Sequence, residues 1–185
     1  MRIVIAGLLG AVVMFLWQSA AHMVLPIGEM GMRAPKNEDV VLQAVTSGIP
    51  EPGIYMLPYL SPEQYKDEAA ANAWAEKAKA NPFAYVVVAR QKADPMTMGT
   101  ELGIQFVLVL FGALIIACLL AATAWSFGKR VVGSALVGAF GWLANTVPQW
   151  NWYRFPVDYM VGGLIEQAVG WLLAGVAIAW WLGRR

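Results

Sequence analysis

Glu166 is the one charged residue inside an otherwise uncharged stretch from Tyr159 to Gly183. A carboxyl group in so apolar a run is costly to ionise, so by default it faces other protein groups and marks a functional candidate. His22, the only histidine, stands four residues after Gln18, which places the two on one helical face. Asn145 lies in a second apolar run, and Gln167 follows Glu166. Gln18, His22, Asn145, Glu166 and Gln167 are expected to form one polar layer, extended by Gln149, Asn151, Arg154 and Asp158. A carboxylate beside an imidazole can transfer a proton, which is the chemistry of a membrane acid–base enzyme. The competing role for the same residues is to hydrogen-bond across helices and fix their packing.

Two methionine pairs suggest a different chemistry. Met30-Gly-Met32 and Met96-Thr-Met98 flank the first and second apolar runs. Thioethers are soft ligands that favour Cu(I), so Met30, Met32, Met96 and Met98 form a candidate copper site if the pairs meet. Their ordinary role is as adaptable interfacial hydrophobes. A histidine or cysteine metal cluster is excluded by one His and one Cys, and the lone Cys118 also excludes an intrachain disulfide.

The segment Pro148-Gln149-Trp150-Asn151-Trp152-Tyr153-Arg154-Phe155-Pro156 is denser in aromatics than membrane-interface anchoring requires. Trp, Tyr and Arg dominate protein interfaces, so Trp150, Trp152, Tyr153, Arg154 and Phe155 are expected to contact a partner. Trp17, Trp125, Trp180 and Trp181 sit near the ends of apolar runs, where indole rings anchor a helix at the membrane surface. There is no nucleophile-elbow, zincin or phosphate-loop motif.

These residues must be positioned by elements that the composition already constrains. The chain has 185 residues, of which 59% are hydrophobic and 14% charged, against about 25% charged in an ordinary soluble domain. A net charge of +1 gives no basic footprint for nucleic acid. Ile3–Gly28, Leu102–Gly128 and Val131–Tyr153 contain no charged residue, and Tyr159–Gly183 contains only Glu166. Each exceeds the roughly 18 apolar residues that suggest a membrane-spanning helix. The expected fold is an α-helical integral membrane protein with four transmembrane helices, at about 3–26, 102–127, 131–149 and 158–183. A small α/β extramembrane module lies between the first two. In domain terms these are 1–28, a module over 29–101, 102–128, 129–149, an aromatic loop over 150–157, and 158–185.

Arg2, Lys129-Arg130 and Arg184-Arg185 fall on one side of such a bundle. By the positive-inside rule both termini are cytoplasmic and residues 29–101 lie outside a plasma membrane, of the bacterial inner-membrane type. Ser19-Ala20-Ala21 after an apolar run resembles a signal-peptide cleavage site. The run continues through Met23-Val24-Leu25, which favours a retained anchor.

Within the module, Asn37 caps a helix over the apolar positions Val40, Val41, Ala44 and Val45, which Ser47-Gly48 stops. Ile54–Leu57 and Phe83–Ala89 read as strands. Ser61-Pro62-Glu63-Gln64 opens a helix that runs to about Ala80. A connection of that length permits parallel pairing of the strands, and two strands alone are marginal. In the spans, Ala113, Ala117 and Ala121, the pairs Gly170/Ala174 and Gly175/Ala179, and Gly133, Gly138 and Gly141 allow close helix approach.

The leading expectation is a non-enzymatic membrane protein that acts through contacts, as an accessory or scaffolding subunit. Its partners would be the lipid bilayer and another membrane protein or a second copy of itself. A transport or copper-handling protein is the alternative, and a Glu166/His22 acid–base enzyme is third.

Overall fold

A computed structural model describes residues 1–89 and 96–184. Residues 90–95 of the expected module, and Arg185 of the terminal basic pair, lie outside the described set. The chain separates into two compact units: Met1–Met32 with Met96–Arg185, and Arg33–Pro95.

The first unit holds four helices long and apolar enough to cross a membrane. Helix α1 spans Arg2–Met23. In the second unit α2 spans Glu38–Gly48, β1 Gly53–Leu57, α3 Glu68–Ala80 and β2 Ala84–Val88. The first unit resumes with α4 at Gly99–Ala121, α5 at Phe127–Asn145, the short α6 at Val147–Tyr153, and α7 at Val157–Gly183. Helix α6 corrects the expected aromatic loop, because Trp150, Trp152 and Tyr153 are helical. Pro148 sits in its first turn, where a missing N–H costs nothing. Arg154 then ends it in the left-handed conformation, at φ 60°, leaving only Arg154–Pro156 to connect to α7.

Helix α7 packs along both α5 and α1, and α1 along α4, while α4 meets α7 chiefly through side chains such as Trp171 beside Gly112. The packing order is therefore α4–α1–α7–α5. Small residues make the seams close. Ala6, Ala11, Ala113, Ala117 and Ala174 are fully buried, grouped around Met14, Ile116 and Ile178. A β-carbon on Gly170 would collide with Met14 and Trp17, and one on Gly175 with Ser134. The Ser134 hydroxyl donates to the Trp171 carbonyl at 2.7 Å. It is thus satisfied within the α5–α7 seam, as a buried hydroxyl away from water must be. At the far end of the bundle the Arg2 guanidinium donates to the Leu182 carbonyl at 2.7 Å, capping α7 with a cation.

The second unit is built from local signals. The Asn37 side chain accepts from Val40 N at 3.2 Å and starts α2. Ser61 and Gln64 bond reciprocally, with Gln64 N donating to Ser61 Oγ and Ser61 N to Gln64 Oε1. That expected capping box opens only a single 3₁₀ turn, Gln64–Lys66. The α-helix proper starts afresh at Glu68, because the Asp67 carboxylate accepts from Ala69 N and Ala70 N. The strands pair antiparallel, with Gly53 opposite Val88 and Leu57 opposite Ala84, so parallel pairing is not what this connection does. The Trp74 indole donates to the Pro58 carbonyl at 3.2 Å, holding α3 to the exit of β1. The chain thus re-enters the sheet at the end it left.

Candidate functional site

Three helices contribute to one connected polar cluster. Gln18 and His22 project from the last two turns of α1, four residues apart as their face requires. Glu166 projects from α7 between them: Gln18 Nε2 donates to one carboxylate oxygen and His22 Nε2 lies on the other, both at 3.2 Å. Gln105, in the second turn of α4, donates to Gln18 Oε1 at 3.1 Å. The Trp17 indole donates to the Glu166 main-chain carbonyl at 3.0 Å, which locks the α7 backbone to α1 at this level. Glu166 is mostly shielded, at 16% exposure, while His22 retains 52%.

The segment after α1 folds back onto this cluster. Gly28 N donates to the Ala21 carbonyl at 3.0 Å, and a β-carbon on Gly28 would run into the His22 imidazole. Gly31 adopts φ 85° against the Tyr159 backbone, a left-handed conformation that side chains rarely take. These contacts press the His22 ring between Glu166 and Gly28. They also leave two cavities, both bordered by His22 and Glu166. One, of about 210 Å³, is bordered in addition by Met30, Met32, Thr146, Tyr159 and Gln167. The other, of about 330 Å³, opens between α1 and α4.

Of the expected polar layer, the structure brings together Gln18, His22 and Glu166. Gln167 borders the smaller cavity, and its Oε1 accepts from Trp171 Nε1 at 3.1 Å. Asn145 does not join, because its amide bonds back to the Gly141 carbonyl of its own helix at 3.0 Å. Gln149 stands apart too, with its Oε1 buried and lacking a hydrogen-bond partner. Gln105 is the member that sequence reasoning missed. As an amide inside an apolar run it carried the same signal that marked Glu166. The four methionines are not gathered in one of these cavities. Met30 and Met32 border the smaller, Met98 the larger, and Met96 neither.

A second candidate surface lies at the end of α6. Trp150, Asn151, Arg154 and Phe155 frame an open notch of about 210 Å³. Phe155 N bonds to the Gln149 carbonyl at 3.3 Å, and the Phe155 ring rests against Tyr159 at 5.1 Å. Trp152 is 72% exposed, so three of the five expected contact residues frame the notch while Trp152 stands beside it in sequence.

The chain is mostly helical, with four helices long and apolar enough to cross a membrane and a polar cluster between three of them, features that suggest a membrane protein. Comparison with known protein families, with curated proteins and with solved structures finds no match to this chain.

Proposed function

We propose that this is an integral protein of the plasma membrane that acts through protein contacts, as an accessory or scaffolding subunit of a larger membrane assembly. The observation that carries the reading is that no described residue from Arg33 to Ala89 is buried. Ordering a backbone costs roughly 1–2 kcal/mol per residue before any gain, and burial is the dominant compensating term. A module without a fully buried residue, yet carrying exposed Val40, Val41, Leu42, Ile54 and Val87, has the composition of one half of an interface. The notch at Trp150 and Arg154 adds an aromatic and a guanidinium to the same reading. The distribution of basic residues supports cytoplasmic termini, with the module on the opposite side.

The test is copurification from gently solubilised membranes. A wild-type bait retains a stoichiometric partner. Ile54→Asp with Val87→Asp, or Trp152→Ala, loses it while bait levels stay normal. Absence of any partner in wild type, or equal retention in every variant, removes the reading. Thiol labelling from outside reaches cysteines placed at Lys66 and Asn151 and misses one at Lys129 if the orientation is right.

A second reading, copper handling, draws support from one observation: Met30, Met32 and His22 border a single cavity. It predicts Cu(I) binding that weakens in Met30→Leu/Met32→Leu, since leucine deletes the thioether at similar volume. Identical Cu(I) titrations for the two proteins would end it.

A further inference from the structure

The larger cavity has a division of chemistry that neither reading above uses. Its inner wall is polar and already hydrogen-bonded: Gln18, Gln105, His22 and Glu166. Its remaining border is apolar or soft, with Phe15, Met23, Met98 and Leu102, apart from Ser19, whose hydroxyl donates to the Phe15 carbonyl within α1. Leu102 is itself 47% exposed on a helix long enough to span a membrane. A cavity with this arrangement suits a molecule that arrives through the bilayer and presents a hydrogen-bonding head to the protein. At about 330 Å³ it falls in the range of small-ligand sites, roughly 300–1,000 Å³.

The charge of the border narrows the class. No Lys or Arg contributes to it, and Glu166 does. A phosphate, sulfate or fatty-acid carboxylate would be desolvated beside a carboxylate with no counter-ion, which is strongly unfavourable. The head is therefore not an anion.

The residue types on the border narrow it again. Phe15 stands edge-on to Phe106, with ring centroids 5.5 Å apart. Its ring, with the thioethers of Met23 and Met98, forms a rim that favours a flat aromatic or quinonoid ring over a flexible chain, because sulfur and ring edges both contact such a face well. Gln105 gives one amide hydrogen to Gln18, and its two-donor, two-lone-pair amide retains capacity for a ring oxygen.

We propose that the cleft between α1 and α4 binds the head of a lipid-soluble quinone or quinol, with Gln105 hydrogen-bonded to a ring oxygen and the His22–Glu166 pair beside the head. The proposal is one of binding, with no electron-transfer step, and it is independent of the accessory-subunit reading.

The experiment uses the full chain in neutral phosphatidylcholine nanodiscs with a photoreactive azido-benzoquinone bearing a decyl tail. Label is expected on peptides covering Phe15–Met23 and Met98–Gln105, and unlabelled decyl-benzoquinone should compete for it. Gln105→Leu weakens competition about fivefold, the effect of one lost hydrogen bond. Leu102→Trp, which fills the mouth from an exposed position, abolishes the label if the cleft is the site. Leu143→Trp, on the exposed side of α5, behaves as wild type. Label spread evenly over the exposed faces, or unchanged in both Gln105→Leu and Leu102→Trp, is membrane partitioning and overturns the proposal. Displacement by dodecylamine but not by the quinone also overturns it, in favour of a cationic head.

Discussion

The bundle and the module reach order by opposite routes. Along α1, α4 and α7, side chains no larger than a methyl group let helices approach until Ala11, Ala113 and Ala174 have no exposed surface. From Arg33 to Ala89 no described residue is buried, yet caps, a turn and a strand pair all form. In the module, Asn37, Asp67 and the Ser61–Gln64 pair supply hydrogen bonds to their own neighbours in sequence. Local signals can thus define elements without defining a self-sufficient unit, and only burial does the second. On the proposal above, the module is the part that would draw stability from a partner.

The sharpest test of that contrast is amide hydrogen exchange on the intact protein. Exchange reports local opening, from near zero up to the global stability. Amides of β1 and β2 should exchange at least a hundredfold faster than those of α7 near Gly170, and should slow when a partner is bound. Equal protection in the two regions would dissolve the comparison.

Next in size is Gly175→Leu. The first side-chain atom already meets Ser134 at 2.5 Å, and the α5–α7 seam offers nowhere to move. Overpacking should cost on the order of 3 kcal/mol, measured as lost thermal stability in detergent. Val87→Asp, at a residue 65% exposed, should change the same measurement by no more than about 0.5 kcal/mol.

The polar cluster comes third. Glu166→Gln keeps an acceptor for Gln18 and should cost about 1 kcal/mol, the usual scale of a hydrogen bond between membrane helices. Glu166→Lys puts a cation beside His22 and the Gln18 amide, and should cost more in the same assay. If lysine is harmless, the cluster contributes nothing to holding α1, α4 and α7 together.

The smallest effect belongs to Glu63, in the turn before α3. Its own backbone N–H, and then the Ser61 hydroxyl, hold its carboxyl below the ordinary carboxylate range. A lowered folded value means the turn gains from the charged form above the ordinary pKa. That gain fades as pH falls through the lowered value. An NMR titration should therefore place the Glu63 midpoint below that of a glutamate in the unfolded chain, and Ser61→Ala should raise it.

Much of this was legible in the chain because the signals were local or periodic. Uncharged runs located four helices to within six residues at either end, and Asn37 marked the start of α2 because a cap acts within one turn. Gln18 and His22 were correctly paired by their spacing of four. What escaped depended on partners distant in sequence. Asn145 has the same polar character as Gln18, but its amide found a carbonyl one turn back on its own helix, and nothing in residue type distinguishes the two outcomes. Gln105 was legible by the rule that marks Gln18, a neutral amide inside an apolar run. The strand direction depends on a pairing between residues distant in sequence, Gly53 with Val88 and Leu57 with Ala84, which residue type does not encode. The extension of helix beyond Thr146 was hidden by Pro148, which breaks a helix in its interior but fits the first turn of a new one.

The packing order α4–α1–α7–α5 has a consequence for stoichiometry. A row, unlike a closed ring of helices, ends in two flanks, and here they are different surfaces: exposed Leu108, Ile115 and Leu119 on α4, and exposed Leu136, Phe140 and Leu143 on α5. Copies that joined unlike flanks would keep an unused flank at each end and would grow until the row curved shut. Copies that joined like flanks about a two-fold axis would stop at two on each flank used. Which flank meets which therefore sets whether this protein counts to two, counts to the size of a ring, or yields one flank to a different subunit that ends the row.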